Sequence, residues 1–201
     1  MIPIMRMMAW GCALACVVAW SAHAQSPSPA REWKLSTALG PAYPQGKGGE
    51  LWATLIRERS NGRLAVRHFP GATLAQRNPA RELAALREGA IDLAVGSASN
   101  WAPQAPELNL IALPWLFPDL AAVDRALEGG VGARLSTGLE RAGVVPVAWA
   151  SDAFHELAAK RGVHTPGDMN GLRVRVFVSP LLDDTLLALG ALPAAMSPAA
   201  A

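Results

Sequence analysis

Cysteine is confined to the first 16 residues: Cys12 and Cys16 are the only two in a chain of 201. Residues 17–201 therefore offer no disulfide, no thiolate nucleophile and no cysteine metal ligand. Charge is scarce too, at 17% of residues, and nearly balanced, with 18 Lys and Arg against 16 Asp and Glu. A net +2 scattered along the chain lacks the basic patch or stripe of a nucleic-acid surface, so no nucleic-acid partner is expected. The sequence has no His-Glu-x-x-His pair, no Gly-x-Ser-x-Gly elbow and no phosphate loop. Gly46, Gly48 and Gly49 have no following Lys-Ser or Lys-Thr and read as a flexible helix entry. His68, His155 and His164 share no helical ligand spacing. These absences leave no catalytic residue, no metal site and no cofactor to name. The apolar content of 51% in turn excludes a disordered chain.

Part of that apolar content lies at the start. One positive charge at Arg6 precedes an apolar stretch over residues 7–20, and Ser21-Ala22-His23-Ala24 supplies small residues at Ala22 and Ala24. This is the layout of a secretory signal over residues 1–24, cleaved after Ala24. The stretch is short for a membrane span, which needs about 20 apolar residues. A lipid anchor on Cys16 competes less well, because Val17-Val18-Ala19-Trp20 continues the apolar run. Residues 25–32, rich in proline and serine, read as a disordered lead.

The remaining chain alternates strand and helix signals. Trp33-Lys34-Leu35-Ser36-Thr37-Ala38 reads as a first strand, and residues 49–60 as a helix stopped by Asn61-Gly62. Residues 64–70 alternate as a second strand. Asn78-Pro79 opens a second helix that presents Leu83 and Leu86 and stops at Gly89. Residues 90–96 are nearly continuous and apolar, as a buried parallel strand requires, although Asp92 sits among them with no predictable partner. That order predicts an α/β fold. Further helices are expected over 120–127, capped by Asp119, and over 131–141, then a strand over 144–150 whose Pro146 argues for an edge or bulge. The tail repeats the grammar: a turn over 165–171, a strand over 172–178, a helix opened by Ser179-Pro180 and a further strand from Ala191. Asp183-Asp184 at that helix start is favoured by the helix dipole.

Ser97, Ser99 and Asn100 fall just past the third strand, where an open α/β sheet places its ligand crevice. Arg173 and Arg175 share one face of a later strand. An arginine near the end of such a strand can hold a carboxylate with two parallel hydrogen bonds, or it can be ordinary solvated surface; the residues alone leave both open. Trp101, Trp115 and Trp149 likewise suit either a pocket wall or core packing.

An ordered set of segments resembles the solute-binding proteins of tripartite ATP-independent periplasmic (TRAP) transporters, whose best-known members bind dicarboxylates. It comprises Trp33-Lys34-Leu35-Ser36-Thr37, Ser60-Asn61-Gly62-Arg63-Leu64, Phe69-Pro70-Gly71-Ala72-Thr73-Leu74, Gly89-Ala90-Ile91-Asp92-Leu93, Leu113-Pro114-Trp115-Leu116-Phe117, Thr165-Pro166-Gly167-Asp168-Met169-Asn170-Gly171-Leu172-Arg173-Val174-Arg175-Val176 and Leu189-Gly190-Ala191. The resemblance implies a periplasmic binding protein with two α/β domains around a cleft. Such a protein is no enzyme: it closes on a small organic acid and delivers it to membrane permease subunits of a TRAP transporter. It also implies a first domain over 33–148 and the start of a second over 149–201, with the C-terminal part missing. On that count a non-transporting or sensory binding protein, or an inactive fragment, is the alternative. The family's carboxylate-clamping arginine falls on Arg175. Ala38 and Tyr43 in the first loop, with Ser97, Asn100 and Trp101, correspond to cleft-lining parts. A second arginine of many members is replaced by His155, an imidazole in place of an always-charged guanidinium. The replacement leaves room for a monocarboxylate, a keto acid or a bulkier acid.

Overall fold

The computed structural model describes residues 32–177 and 179–196. The signal segment and nearly all of the 25–32 lead lie outside the described residues, as does everything after Met196. The lead is shorter than expected by one residue, because Glu32 already pairs with Ala65 in the first strand.

A three-stranded parallel sheet organises the first half of the described residues. Its elements are β1 (Glu32–Thr37), α1 (Pro44–Arg59), β2 (Ala65–Pro70), α2 (Glu82–Arg87) and β3 (Leu93–Val95), with strand order β2-β1-β3. Central β1 turns fully buried from Leu35 to Thr37, the half that pairs on both sides. β3 is shorter than the apolar run 90–96. Its entry is occupied by Asp92, whose carboxylate accepts from the Lys34 N–H (2.9 Å) while its own N–H donates to Lys34 O (3.0 Å). Asp92 thus finds the partner that could not be named from sequence, a backbone group of the neighbouring strand.

The helix α1 begins at Pro44, ahead of the expected residue 49, and takes in the three glycines. They do not form a flexible entry. Gly46, Gly49 and Ala53 make a small-residue stripe that is buried, and a Cβ on Gly49 would stand 2.7 Å from Thr37 Cγ2. A Cβ on Gly46 would collide with the Gly40 carbonyl. The stripe lets the helix lie close against β1 and against the loop that follows it. The Asn78 side chain accepts from Ala80 N–H (3.0 Å) as expected, but the turn it opens is 3-10 over Pro79–Arg81 before α2 begins.

Beyond β3 come α3 (Ala98–Trp101), a 3-10 segment Pro106–Ala112, α4 (Leu120–Glu128) and α5 (Gly130–Arg141). Leu83, Trp101, Leu108, Leu127, Leu135 and Leu139 pack together as one core, and Asp119 Oδ1 caps α4 by accepting from Ala122 N–H (2.7 Å). The strand expected over 144–150 does not form. No strand lies beside it among the described residues, Pro146 has no N–H to donate, and Val145 and Val147 are 80% and 72% exposed. Val144 and Trp149 still pack onto the core, the Trp149 indole donating to Ser136 Oγ (3.1 Å).

A second parallel pair closes the described chain: β4 (Arg173–Val176), α6 (Pro180–Ala188) and β5 (Leu192–Ala195). Ser179 Oγ accepts from Leu182 N–H (3.3 Å) at the start of α6, and Met169, Val176, Leu186 and Ala191 form a separate small core. The expected α/β class is what the chain adopts: parallel strands joined by crossover helices in two sheets.

The close approach of α1 is testable by a glycine pair. Gly49→Ala forces Thr37 to move and is expected to lower stability by roughly 1–3 kcal/mol. Gly48→Ala, with nothing within 4 Å of the added methyl, should raise it by about 0.5–1 kcal/mol. Urea denaturation of both variants checks this; equal effects would contradict the packing account.

Candidate functional site

The strand order sets where a ligand can enter. The crossover from β1 leads outward to β2, and the next one returns past β1 to β3, so right-handed connections put α1 and α2 on opposite faces of the sheet. Alternation along β1 agrees: Thr37 faces Gly49 of α1, while Ser36 bonds Glu82 of α2. The point of reversal, between the C-terminal ends of β1 and β3, is the crevice of a doubly wound sheet. One wall is the 38–43 loop after β1, the other Gly96, Ser97 and α3 after β3.

Two buried polar contacts hold the end of β1. On one face, Ser36 Oγ donates to Glu82 Oε1 at 2.6 Å, and both residues are fully buried. Burial pushes the Glu82 carboxyl up from its ordinary 4.5 to about 7, against the pull of the Ser36 hydroxyl and the Trp101 indole. On the other face, Thr37 Oγ1 lies 2.7 Å from His68 Nε2 and donates to Leu39 O, also at 2.7 Å. Burial lowers the pKa of His68, with Glu50 of α1 acting the other way. Glu82 was not singled out from sequence, although a signal existed: it shares a helical face with Ala85 and Leu86, an acid on an apolar stripe.

The residues expected to line a site fare differently. Ala38, Ser97 and Asn100 are half-buried on the crevice walls. Ser97 is the N-cap of α3 and its side chain makes no capping bond. Tyr43 is 56% exposed at the N-cap of α1. Trp101 is buried in the core, and its ring occupies the space that a side chain on Gly96 would fill. Trp115 is 84% exposed. Arg175 is exposed on the outer face of β4, beside the alternating Val174 and Val176; its Nε donates to Met196 O (3.0 Å). His155 is exposed and meets Phe177 edge-on, with centroids 5.4 Å apart.

A narrow cleft joins the two sheets. Ser99 and Pro114 line it from the first half, Phe177, Ser179 and Thr185 from the second, with His155 between them. It encloses about 20 Å³, room for one water and not for an organic acid. Of the expected residues, His155 lines this cleft; Ser99, which lines it from α3, is the chain neighbour of Asn100, but Ser97, Asn100, Arg175, Ala38, Tyr43 and Trp101 do not line it. Among the described residues no group of three or more His, Cys, Asp or Glu could hold a metal ion, and no helix is long and apolar enough to cross a membrane.

Residues 35–200 match the family described as bacterial extracellular solute-binding protein, family 7. The chain belongs to that family. It is 46% identical to a TRAP periplasmic solute-binding protein from Ralstonia eutropha H16, solved with bound (S)-2-acetolactate, with a TM-score of 0.77 over 84% of this chain and 54% of that one. A second such protein, from Pseudomonas aeruginosa PAO1 with bound L-malate, is 30% identical with a TM-score of 0.75, over 83% of this chain and 57% of that one. The 2,3-diketo-L-gulonate-binding periplasmic protein of Escherichia coli (strain K12) is 33% identical over 143 residues, 71% of this chain and 43% of the relative. The chain thus spans about half the length of the solute-binding proteins it matches.

The buried carboxyl makes stability pH-dependent in a defined direction. Below the ordinary 4.5, Glu82 is protonated both folded and unfolded, and it adds no pH-linked cost. As the pH rises toward about 7 the unfolded chain releases the proton first, so folding loses stability, up to roughly 3 kcal/mol above that range. Glu82→Gln should flatten this slope. Urea unfolding at pH 5 and pH 8 checks it, and parallel losses in both proteins would sink the assignment.

Proposed function

We propose that the chain is the periplasmic solute-binding component of a TRAP-type secondary transporter, captures a small organic acid by its carboxylate and delivers it to membrane permease subunits. The observation that carries this reading is Arg175. It stands exposed at the end of a parallel strand, in a segment matching the family's motif, with its Nε committed to Met196 O. The two Nη groups have no hydrogen bond among the described residues, and they can offer a carboxylate the parallel pair that a guanidinium forms best. The two sheets serve as the first domain, 33–148, and the beginning of the second, 149–201. The signal over 1–24 is removed after Ala24 on export.

The ligand class follows from the chemistry that the two halves of the chain can offer once the cleft opens. Arg175 supplies the fixed positive charge, His155 a second polar group in place of an arginine, and Ser97 and Asn100 uncharged donors from the first crevice. Ala38 and Tyr43 shape the loop wall, and Trp101 backs it from the core. One fixed charge and one imidazole suit a small keto or hydroxy monocarboxylate better than a short dicarboxylate, and the acetolactate bound by the relative that is 46% identical supports that side of the range. Capture requires the cleft to widen from its present 20 Å³.

Calorimetry with (S)-2-acetolactate, L-malate and succinate tests the proposal. At least one acid should bind, and Arg175→Ala should weaken it by about 10- to 100-fold, the ~1.5–3 kcal/mol of a charged hydrogen-bond set. Unchanged affinity in the variant removes Arg175 from the site; no heat with any acid removes the carboxylate reading.

A further inference from the structure

Glu82 sits where three elements meet. It begins α2, its Oε1 accepts from Ser36 Oγ of β1 at 2.6 Å, and its carboxyl feels the indole N–H of Trp101, the last residue of α3. Ser36 lies two residues before Ala38 at one crevice wall. Trp101 follows Asn100 and Ser97 at the other. One fully buried acid therefore stands behind both walls.

The contact is incomplete. Glu82 Oε2 and Trp101 Nε1 are both buried and neither has a hydrogen-bond partner, although the indole is near enough to favour the charged carboxylate. An indole N–H is a donor only, and a carboxylate oxygen an acceptor only, so each is what the other lacks. Leaving both unpaired is costly, and a small approach of α3 toward α2 satisfies both. A proton on Oε2 removes that incentive, because the hydroxyl is itself a donor and a poor acceptor for the indole. The charge on one carboxyl thus sets how closely α3 is drawn toward β1.

We propose that Glu82 is a positioning residue for the ligand crevice, tying the end of β1 to α3 through Ser36 and Trp101, so that the spacing of the 38–43 loop against Ser97 and Asn100 changes with the charge on its carboxyl. The proposal rests on that crevice being the ligand site described under the proposed function. The ionisable side chains on and beside the surrounding elements are Glu32 and Lys34 on β1, Arg67 and His68 on β2, Asp92 at the entry to β3, Glu107 beyond α3, and Arg81, Arg87 and Glu88 at and around α2. None of them contributes to the perturbation of Glu82, which comes from burial first, opposed by the Ser36 hydroxyl and the Trp101 indole. Apart from burial, the groups that act on the acid are therefore the two it links.

Proton–nitrogen NMR of the free protein between pH 5.5 and 8.5 tests this without any ligand. The Trp101 indole signal, identified by its loss in Trp101→Phe, should titrate with the backbone amides of 38–43 and 97–100, all with one midpoint near 7. Glu82→Gln should make all of them flat. Ser36→Ala removes a bond that favours the charged form, so the shared midpoint should rise; this second variant decides the matter if Glu82→Gln does not fold. Crevice amides that ignore the indole's midpoint, an unchanged titration in Glu82→Gln or an unmoved midpoint in Ser36→Ala would each overturn the proposal. In a parallel arm, whichever of (S)-2-acetolactate, L-malate and succinate binds should change affinity by about threefold or more across the midpoint in the wild type and stay level in Glu82→Gln. Absence of binding by all three counts against the carboxylate reading instead, and the free-protein titration still decides the positioning role.

Discussion

The architecture of the first half depends on the burial of one short strand. β1 is flanked on both edges by parallel strands and covered on both faces by helices, so its last residues, Leu35 to Thr37, have no route to solvent. Two of those three are hydroxyl residues, and a buried hydroxyl without a partner is costly. Ser36 settles on Glu82 of α2 and Thr37 on His68 of β2 and Leu39 O. Each partner comes from a different element, so satisfying the end of the strand also fixes the helices and the loop around the crevice. The small stripe of α1 belongs to the same constraint, because a helix set against a strand this closely has no space for a side chain at residue 49.

The order of elements was legible because it rests on local chemistry. Asp119, Ser179 and Asn78 cap the turns they were expected to cap, and Asn61-Gly62 stops α1 with two positive φ angles. The expectations that failed depended on neighbours. Residues 144–150 have the apolar pattern of a strand, but pattern does not supply a ladder, and the segment has none among the described residues. The glycines of α1 read as flexibility when taken singly and as a packing stripe once the helix starts at Pro44. Asp92 looked unpartnered because its partner is a main-chain N–H, which no side-chain pattern reveals.

The candidate site divides along the same line. The position of Ser97 and Asn100 past β3 follows from a general rule for parallel sheets and was readable in advance. The polar framework behind them was not, since Ser36, Glu82 and Trp101 stand 46 and then 19 residues apart along the chain and share no motif. Trp101 illustrates the difference. Its position suits either a pocket wall or core packing, and the ring lies in the core over Gly96.

The second sheet obeys a simpler logic with a functional consequence. Val174 and Val176 must turn inward to build a core with Met169, Leu186 and Ala191, and strand alternation then leaves Arg173 and Arg175 outside. Phe177, next along the chain, turns back to line the cleft and meets the His155 ring. The strand end thus carries an exposed guanidinium on its outer face and, at Phe177, the ring against which His155 packs, and it is the latter pair that lines the cleft across from Ser99 of α3.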